Sequence, residues 1–184
     1  MSSIDSIRSR SRLWSHWRVA VCCLVTFLWL TASAHAASES GKLVGRRAPE
    51  FIRQDLHGET IDLARYRGRV VLLNFWSTWC APCQTELPRF DQWQSDLHAQ
   101  GFQVVAVAMD ENLPLVRRIV TRLHLALPVV IGDAKLGDLY GGVFGFPVTF
   151  LIDRSGTIRQ RFEGETDPRQ LETAVRALLS ATPR

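Results

Sequence analysis

Two cysteines separated by two residues stand where a buried strand gives way to a helix. Residues 80–83 read Cys-Ala-Pro-Cys and closely follow residues 70–76, which are almost all apolar. Such a run is typical of a strand buried on both faces. The first turn of a helix leaves backbone N–H groups unpaired and carries the positive end of the helix dipole, and both stabilise a thiolate. The sequence therefore predicts a strand, a turn and a helix, with Cys80 at the turn.

This spacing lets the two thiols close a disulfide within one helical turn. A Cys80 thiolate can attack a disulfide sulfur, and Cys83 is placed to resolve the mixed disulfide. A purely structural disulfide is disfavoured, because closing so short a loop removes little entropy from the unfolded chain. A zinc site needs about four ligands, and no second Cys or His pair follows Cys83. We predict redox chemistry, with no metal and no cofactor.

The first 36 residues have the layout of a secretory signal. Four arginines and a single acid precede an apolar run that begins at residue 19. Residues 34–36, Ala-His-Ala, give the small-x-small pattern that a signal peptidase cleaves, so residues 1–36 are predicted to be a signal peptide. The alternative is an uncleaved anchor, with residues 19–34 as a membrane tether, although this run is shorter than the roughly 20 residues of a spanning helix. Both interpretations export the domain, and we expect a periplasmic location.

Export changes both the cysteine count and the charge. Cys22 and Cys23 lie in the leader, so the exported part keeps only Cys80 and Cys83. An exported chain stabilised by structural disulfides would carry more cysteines. The chain has a formal net charge of +4, but four of its 22 Lys and Arg and one of its 18 Asp and Glu lie in the first 36 residues. The remaining charge is close to balanced, and no basic stripe interleaved with aromatic residues suggests a nucleic-acid partner.

The exported part has the length of one domain. Residues 37–43 are predicted to be a flexible lead-in, and residues 44–184 the domain itself. Residues 51–63 are turn-rich and predict a hairpin at the edge of a sheet. Strands and helices then alternate, which is typical of a mainly parallel sheet flanked by helices, with an antiparallel hairpin at its end. Predicted strands cover residues 70–75, 102–109, 128–131, 148–152 and 157–162, and predicted helices follow the cysteine pair, cover residues 113–125 and 136–140, and begin after Asp167.

Three motifs occur in order along this domain. Residues 45–51 read Gly-Arg-Arg-Ala-Pro-Glu-Phe, residues 70–83 carry the strand and the cysteine pair with Glu86 behind them, and residues 145–153 read Gly-Phe-Pro-Val-Thr-Phe-Leu-Ile-Asp. Together they resemble the thioredoxin fold, and within it the exported TlpA/ResA branch that includes the cytochrome c maturation reductases. The resemblance implies a thioredoxin-like α/β fold with a mixed central sheet, an N-terminal hairpin and a central insertion. It also implies a thiol-disulfide oxidoreductase.

The resemblance gives roles to individual residues. It implies that Cys80 is the exposed attacking thiol and Cys83 the buried resolving thiol. It implies that Pro147 follows a cis peptide bond and faces the pair. Phe146 is then placed to pair its backbone with an extended segment of a partner protein. Trp79, next to the attacking thiol, is placed to line the same docking surface.

Glu86 has two interpretations. It lies three residues after Cys83 on the predicted helix, so the two side chains can share a face. In the ResA-like branch an acid at this position takes part in proton handling for the buried thiol, in which case Glu86→Gln is expected to slow exchange most at low pH. The alternative is an exposed acid favoured by the helix N-terminus. Asn74 stands where thioredoxin has a buried Asp, so proton transfer falls to Glu86 or to water.

The direction of electron flow and the partners follow from analogy. No His lies between the two cysteines, which argues against a strong oxidant. A reductant in an oxidising compartment must be recharged, so the resemblance implies a membrane electron donor of the DsbD or CcdA type. It implies exported protein substrates with thiols or disulfides, such as apocytochrome c or copper-site assembly proteins.

Two rival functions would use the same cysteines. A peroxiredoxin-like thiol peroxidase shares the opening of residues 48–51, but it would want a Thr three residues before the attacking Cys. Ser77 occupies that position, and Thr78 is one residue too close. A copper chaperone would hold Cu(I) between Cys80 and Cys83 without turnover.

Overall fold

The strand Val70–Trp76 is buried along its whole length and runs through the centre of the sheet. The computed structural model describes residues 43–181, so the predicted signal peptide or anchor and nearly all of the lead-in lie outside the described residues. No helix between residues 43 and 181 is long and apolar enough to cross a bilayer.

The described chain alternates strands and helices as the sequence predicts. The strands are β1 Ile52–Gln54, β2 Thr60–Asp62, β3 Val70–Trp76, β4 Phe102–Ala108, β5 Val129–Ile131, β6 Val148–Ile152 and β7 Ile158–Glu163. The α-helices are α1 Ala81–Leu97, α2 Leu113–Arg122, α3 Ala134–Leu139 and α4 Pro168–Ser180. Short 3-10 helices cover Leu63–Tyr66 and His98–Gln100.

The central sheet is mixed, with the strand order β5-β4-β3-β6-β7. β3 pairs in parallel with β4, and β4 with β5. β6 runs antiparallel to β3 and forms the terminal hairpin with β7. Between β4 and β6, residues 109–147 contain α2, β5 and α3.

The predicted N-terminal hairpin is present, and it lies beside the edge strand of the central sheet without joining that sheet. β1 and β2 form a separate two-stranded antiparallel sheet. Asp55 forms an isolated bridge to the edge strand at Val130, and the Leu56 N–H donates to the Val129 carbonyl at 3.0 Å. The Asp55 carboxylate accepts the backbone N–H groups of His57 and Glu59, at 2.8 and 2.9 Å. This turn reverses the chain immediately, so the pairing with β5 cannot continue.

Successive side chains of β3 point to opposite faces of the sheet and belong to two different cores. Leu72 and Trp76 belong to the core that α1, α2 and α4 cover. Leu73 and Phe75 belong to the other core, which α3 and the N-terminal hairpin cover. Because helices or loops cover both faces, the strand carries apolar residues at nearly every position. The carboxyl end of β3, where the cysteines follow, is thereby fixed between the two layers.

Far from the cysteines, Arg154 ties three segments together. Its guanidinium donates to the carbonyls of Gly68, Gln100 and Leu179, at 2.9, 3.2 and 3.2 Å. Arg154→Ala removes all three bonds at once. Hydrogen bonds from a charged donor contribute more than neutral ones, so we expect the free energy of unfolding to fall by about 2 kcal/mol. Urea titration measures this change, with Arg118→Ala on the exposed face of α2 as the control. An Arg154→Ala variant as stable as the control would contradict the prediction.

Candidate active site

The helix α1 begins directly after Cys80, as the sequence predicts. Cys80 is the N-cap residue, and its sulfur accepts the backbone N–H of Cys83 at 3.3 Å. Pro82 lies in the first turn, where a missing N–H removes no intrahelical hydrogen bond. Cys80 and Cys83 are joined by a disulfide, with their Cα atoms 5.3 Å apart. The attacking sulfur thus lies at the positive end of the helix dipole.

The disulfide is less accessible than expected. Cys83 is fully buried, and only 4% of Cys80 is exposed. The expectation of an exposed Cys80 is therefore corrected for this oxidised state. The bond to buried Cys83 and the contact with its N–H hold the Cys80 sulfur against the first turn of α1. Cys80 remains the more accessible of the two.

Aromatic residues stand beside the disulfide on two loops. Trp79 is 72% exposed, and its ring packs edge-on against Phe146 with 5.5 Å between centroids. Phe146 is half-buried and Pro147 is buried. The peptide bond between them is cis, as expected from the motif. The structure therefore brings together Trp79 and Phe146, which are distant in sequence.

The backbone of Phe146 has no hydrogen-bond partner among the described residues. The Pro147 carbonyl accepts the N–H of Gly164 at 2.8 Å. By contrast, the N–H and C=O of Phe146 form no backbone hydrogen bond with any residue in the range 43–181. The N–H donor and the C=O acceptor of Phe146 thus lie next to the exposed Trp79 ring, close to the cysteine loop.

Glu86 is a buried carboxyl group. It is 7% exposed, so its interpretation as an exposed acid is wrong. One carboxyl oxygen accepts the N–H of Thr166 at 3.4 Å, and the other has no hydrogen-bond partner among the described residues. Desolvation raises the pKa of Glu86 to about 7, an effect that Glu165 reinforces and that the Thr166 N–H and Arg89 oppose. Near neutral pH this group can therefore take up or release a proton.

The Asn74 side chain lies on the opposite face of β3 from Leu73 and Phe75, which is the face that α1 covers. It is buried, and its amide donates to the Thr149 hydroxyl on the neighbouring strand at 2.9 Å. Its carbonyl oxygen has no partner within residues 43–181. An amide cannot ionise, so Asn74 cannot transfer a proton. Glu86, three residues after Cys83, is a buried group of α1 that can ionise.

Asp110 is a further residue of the site and is not among the residues predicted from the sequence. Its carboxylate accepts the N–H and the hydroxyl of Thr78, at 2.9 and 2.6 Å, and the hydroxyl of Ser77 at 3.4 Å. Asp110 follows β4 whereas Thr78 follows β3, and the parallel pairing of these strands brings their carboxyl ends to one edge. An acid directly after a buried strand next to the cysteine strand was the signal that could have found it.

This arrangement is that of a thiol-disulfide oxidoreductase: a disulfide caps a helix at the end of a central strand, beside an exposed aromatic loop. Comparison with known proteins gives the same class. The AhpC/TSA family matches residues 44–161. ResA, a thiol-disulfide oxidoreductase of Bacillus thuringiensis subsp. konkukian, is 35% identical over 137 residues, which cover 73% of this chain and 78% of that protein. ResA of Geobacillus thermodenitrificans is 35% identical over 148 residues, with 79% and 84% covered.

A solved structure agrees. The thiol:disulfide interchange protein of the thioredoxin family from Chlorobium tepidum TLS superposes with a TM-score of 0.68 at 29% identity, and the match covers 73% of this chain and 96% of that one. The chain belongs to the AhpC/TSA family and, within it, to the ResA-like thiol-disulfide oxidoreductases. The predicted thioredoxin-like fold and oxidoreductase activity are confirmed.

Burial of Glu86 predicts a dependence of stability on pH. The pKa is about 7 in the folded protein and 4.5 for an unperturbed Glu, so the folded state holds this proton more tightly. The stability that this proton linkage contributes is complete below about pH 4.5 and is lost as the pH rises through about 7. Glu86→Gln stays neutral, so its free energy of unfolding should increasingly exceed that of the wild type across this window. Urea titrations across the window measure the difference, with Glu111→Gln, an exposed acid, as the control. Parallel curves for Glu86→Gln and wild type would contradict the prediction.

Proposed function

We propose that this protein reduces disulfides in exported proteins through Cys80 and Cys83. The observation that carries the proposal is the placement of the Cys80 sulfur as the N-cap of α1, bonded to Cys83. In the reduced protein the Cys80 thiolate attacks one sulfur of the substrate disulfide, and the other substrate sulfur leaves as a thiolate. Deprotonated Cys83 then attacks Cys80 in this mixed disulfide and releases the second substrate thiolate. Two electrons pass to the substrate, and the Cys80–Cys83 disulfide remains.

The location and the partners are proposed from the sequence. The layout of residues 1–36 supports export to the periplasm, either cleaved or tethered through residues 19–34. The absence of a His between the cysteines supports a reductant. Such a protein needs electrons, and a membrane donor of the DsbD or CcdA type would supply them. Apocytochrome c and copper-site assembly proteins are the proposed substrates, on the TlpA/ResA resemblance.

Substrate docking is proposed at Trp79, Phe146 and Pro147. An extended substrate segment would pair with the free N–H and C=O of Phe146, as an added strand. The exposed Trp79 ring would cover apolar side chains of that segment. Buried Pro147 contributes by holding Phe146 in place rather than by broad contact. This short pairing would bind the backbone of the substrate and not particular side chains. Such binding suits an enzyme that acts on several proteins.

Glu86 is proposed as the base for the resolving step. Cys83 is buried and must lose its proton before it attacks Cys80. The Glu86 carboxyl lies one turn further along α1, and its pKa of about 7 makes both of its forms available near neutral pH. As a base it works only when ionised, which requires a pH above its pKa.

Glu86→Gln is therefore expected to slow the resolving step mainly above about pH 7. This reverses the low-pH effect that the sequence alone suggested, because burial raises the pKa of Glu86. General-base catalysis contributes about 100-fold or more, and we expect a loss at the lower end of that range. Single-turnover reduction of insulin from about pH 6 to about pH 9, roughly one unit below to two units above the pKa, measures it. Glu111→Gln is the control. Equal losses at every pH would remove Glu86 from proton transfer.

The cysteine variants test the function itself. Cys80→Ser should abolish insulin reduction, because no attacking thiolate remains. Cys83→Ser should instead accumulate a mixed disulfide with the substrate, since nothing resolves it. Non-reducing gels of periplasmic and membrane fractions, followed by identification of the trapped protein, measure this. The double variant Cys80→Ser, Cys83→Ser is the control. A Cys83→Ser variant that traps no more than the double variant would count against exchange with exported proteins.

The same preparations separate the rival functions. The Thr78 and Ser77 hydroxyls both donate to the Asp110 carboxylate. Neither hydroxyl therefore donates to a peroxide at Cys80. Peroxide consumption faster than insulin reduction would nevertheless favour the peroxidase. Stoichiometric retention of Cu(I) by the dithiol without any exchange would favour the chaperone.

A further inference from the structure

Thr78, two residues before Cys80, has all of its polar groups held by side chains. Its N–H and hydroxyl donate to the two carboxylate oxygens of Asp110, at 2.9 and 2.6 Å. Its carbonyl accepts the side-chain amide of Gln84 at 2.7 Å. Thr78 is 8% exposed, so these bonds are shielded from water and are worth more than surface contacts. The disulfide-exchange reaction as described above uses none of them.

The two ends of α2 bracket this loop. Asp110 lies just before α2, and Arg122 is its last residue. Arg122 donates to the carbonyl oxygen of the Gln84 side chain, whose amide holds Thr78. The Cys80 N–H in turn donates to the Ser77 carbonyl at 3.1 Å. A chain of hydrogen bonds therefore runs from α2 through the loop to the residue that carries the attacking sulfur.

We propose that Asp110 is a positioning residue for disulfide exchange, which holds residues 77–79 so that the Cys80 sulfur stays at the N-terminus of α1. Asp110 acts on the reaction through Thr78 and Ser77, and no contact with the sulfur is required. The thiolate formed when the disulfide is reduced loses its bonded partner, so the loop clamp is what keeps it beside the helix N–H groups. Trp79, between Thr78 and Cys80, is held by the same clamp.

The test compares variants of the full-length chain. Asp110→Ala removes every acceptor, and Asp110→Asn keeps the shape and one acceptor oxygen but removes the charge. Asp91→Ala is the matched control, because the Asp91 carboxylate likewise accepts hydrogen bonds from a loop, here from the backbone N–H groups of Ala126 and Leu127, at 2.8 and 2.6 Å. The readouts are the rate at which the reduced protein reacts with oxidised glutathione and the pH midpoint of Cys80 alkylation.

Asp110→Ala is expected to slow the reaction with oxidised glutathione about tenfold, since small misplacement of a reacting group is costly. The alkylation midpoint should rise, because a displaced sulfur loses the stabilisation of the helix N-terminus. Asp110→Asn should keep most of the rate, and Asp91→Ala should keep all of it. Thr78→Val, which loses the hydroxyl bond, should shift both readouts in the same direction, and Thr78→Ser should restore them. The Thr78 pair also decides the matter if Asp110→Ala does not fold.

Three outcomes would overturn the inference. The first is a rate for Asp110→Ala within about twofold of wild type. The second is an alkylation midpoint that falls, because Asp110 would then act as a nearby negative charge. The third is an Asp91→Ala variant that slows as much as Asp110→Ala, because general loss of stability would explain both. The inference rests on the proposed exchange reaction. A wild-type protein that does not react would refute that reaction, whereas equal rates in wild type and variants would refute only the role of Asp110.

Discussion

The parallel pairing of β3 with β4 is the constraint on which the active site depends. Both strands are buried on both faces, and their parallel register places their carboxyl ends at one edge of the sheet. The loop to Cys80 leaves β3 at that edge, and Asp110 follows β4 there. A slip of one residue would turn every β3 side chain to the wrong core, so the packing of the two cores also fixes the site.

Burial gives the polar groups of the site their chemistry. Glu86 and Asn74 are almost without exposure, and each has one oxygen without a hydrogen-bond partner among the described residues. Such groups cost stability in a core. For Glu86 the cost appears as a pKa near 7, which is suited to proton transfer at neutral pH. Burial therefore lowers stability and at the same time produces a titratable group on the helix that carries the buried Cys83.

The site combines a rigid part and an open part. The helix N-terminus, the disulfide and the Asp110 clamp hold the sulfur of Cys80 in one place. The ring of Trp79 is instead exposed, and the backbone of Phe146 forms no hydrogen bond with the described residues. A rigid nucleophile limits the entropy lost in each attack. If substrates dock through their backbone at this surface, as proposed, different sequences could bind there.

Local sequence determined the strands, the helices and the chemistry of the cysteine pair. The apolar run of β3, the cap at Cys80 and the Asp167 cap of α4 each depend on neighbours in the chain, so pattern and spacing were enough. The tertiary structure alone decided the separate place of the β1–β2 hairpin, the burial of Glu86 and the contact of Asp110 with Thr78. These depend on which segments meet across the sheet, and a residue's solvation and long-range partners are set by that packing rather than by its neighbours in sequence.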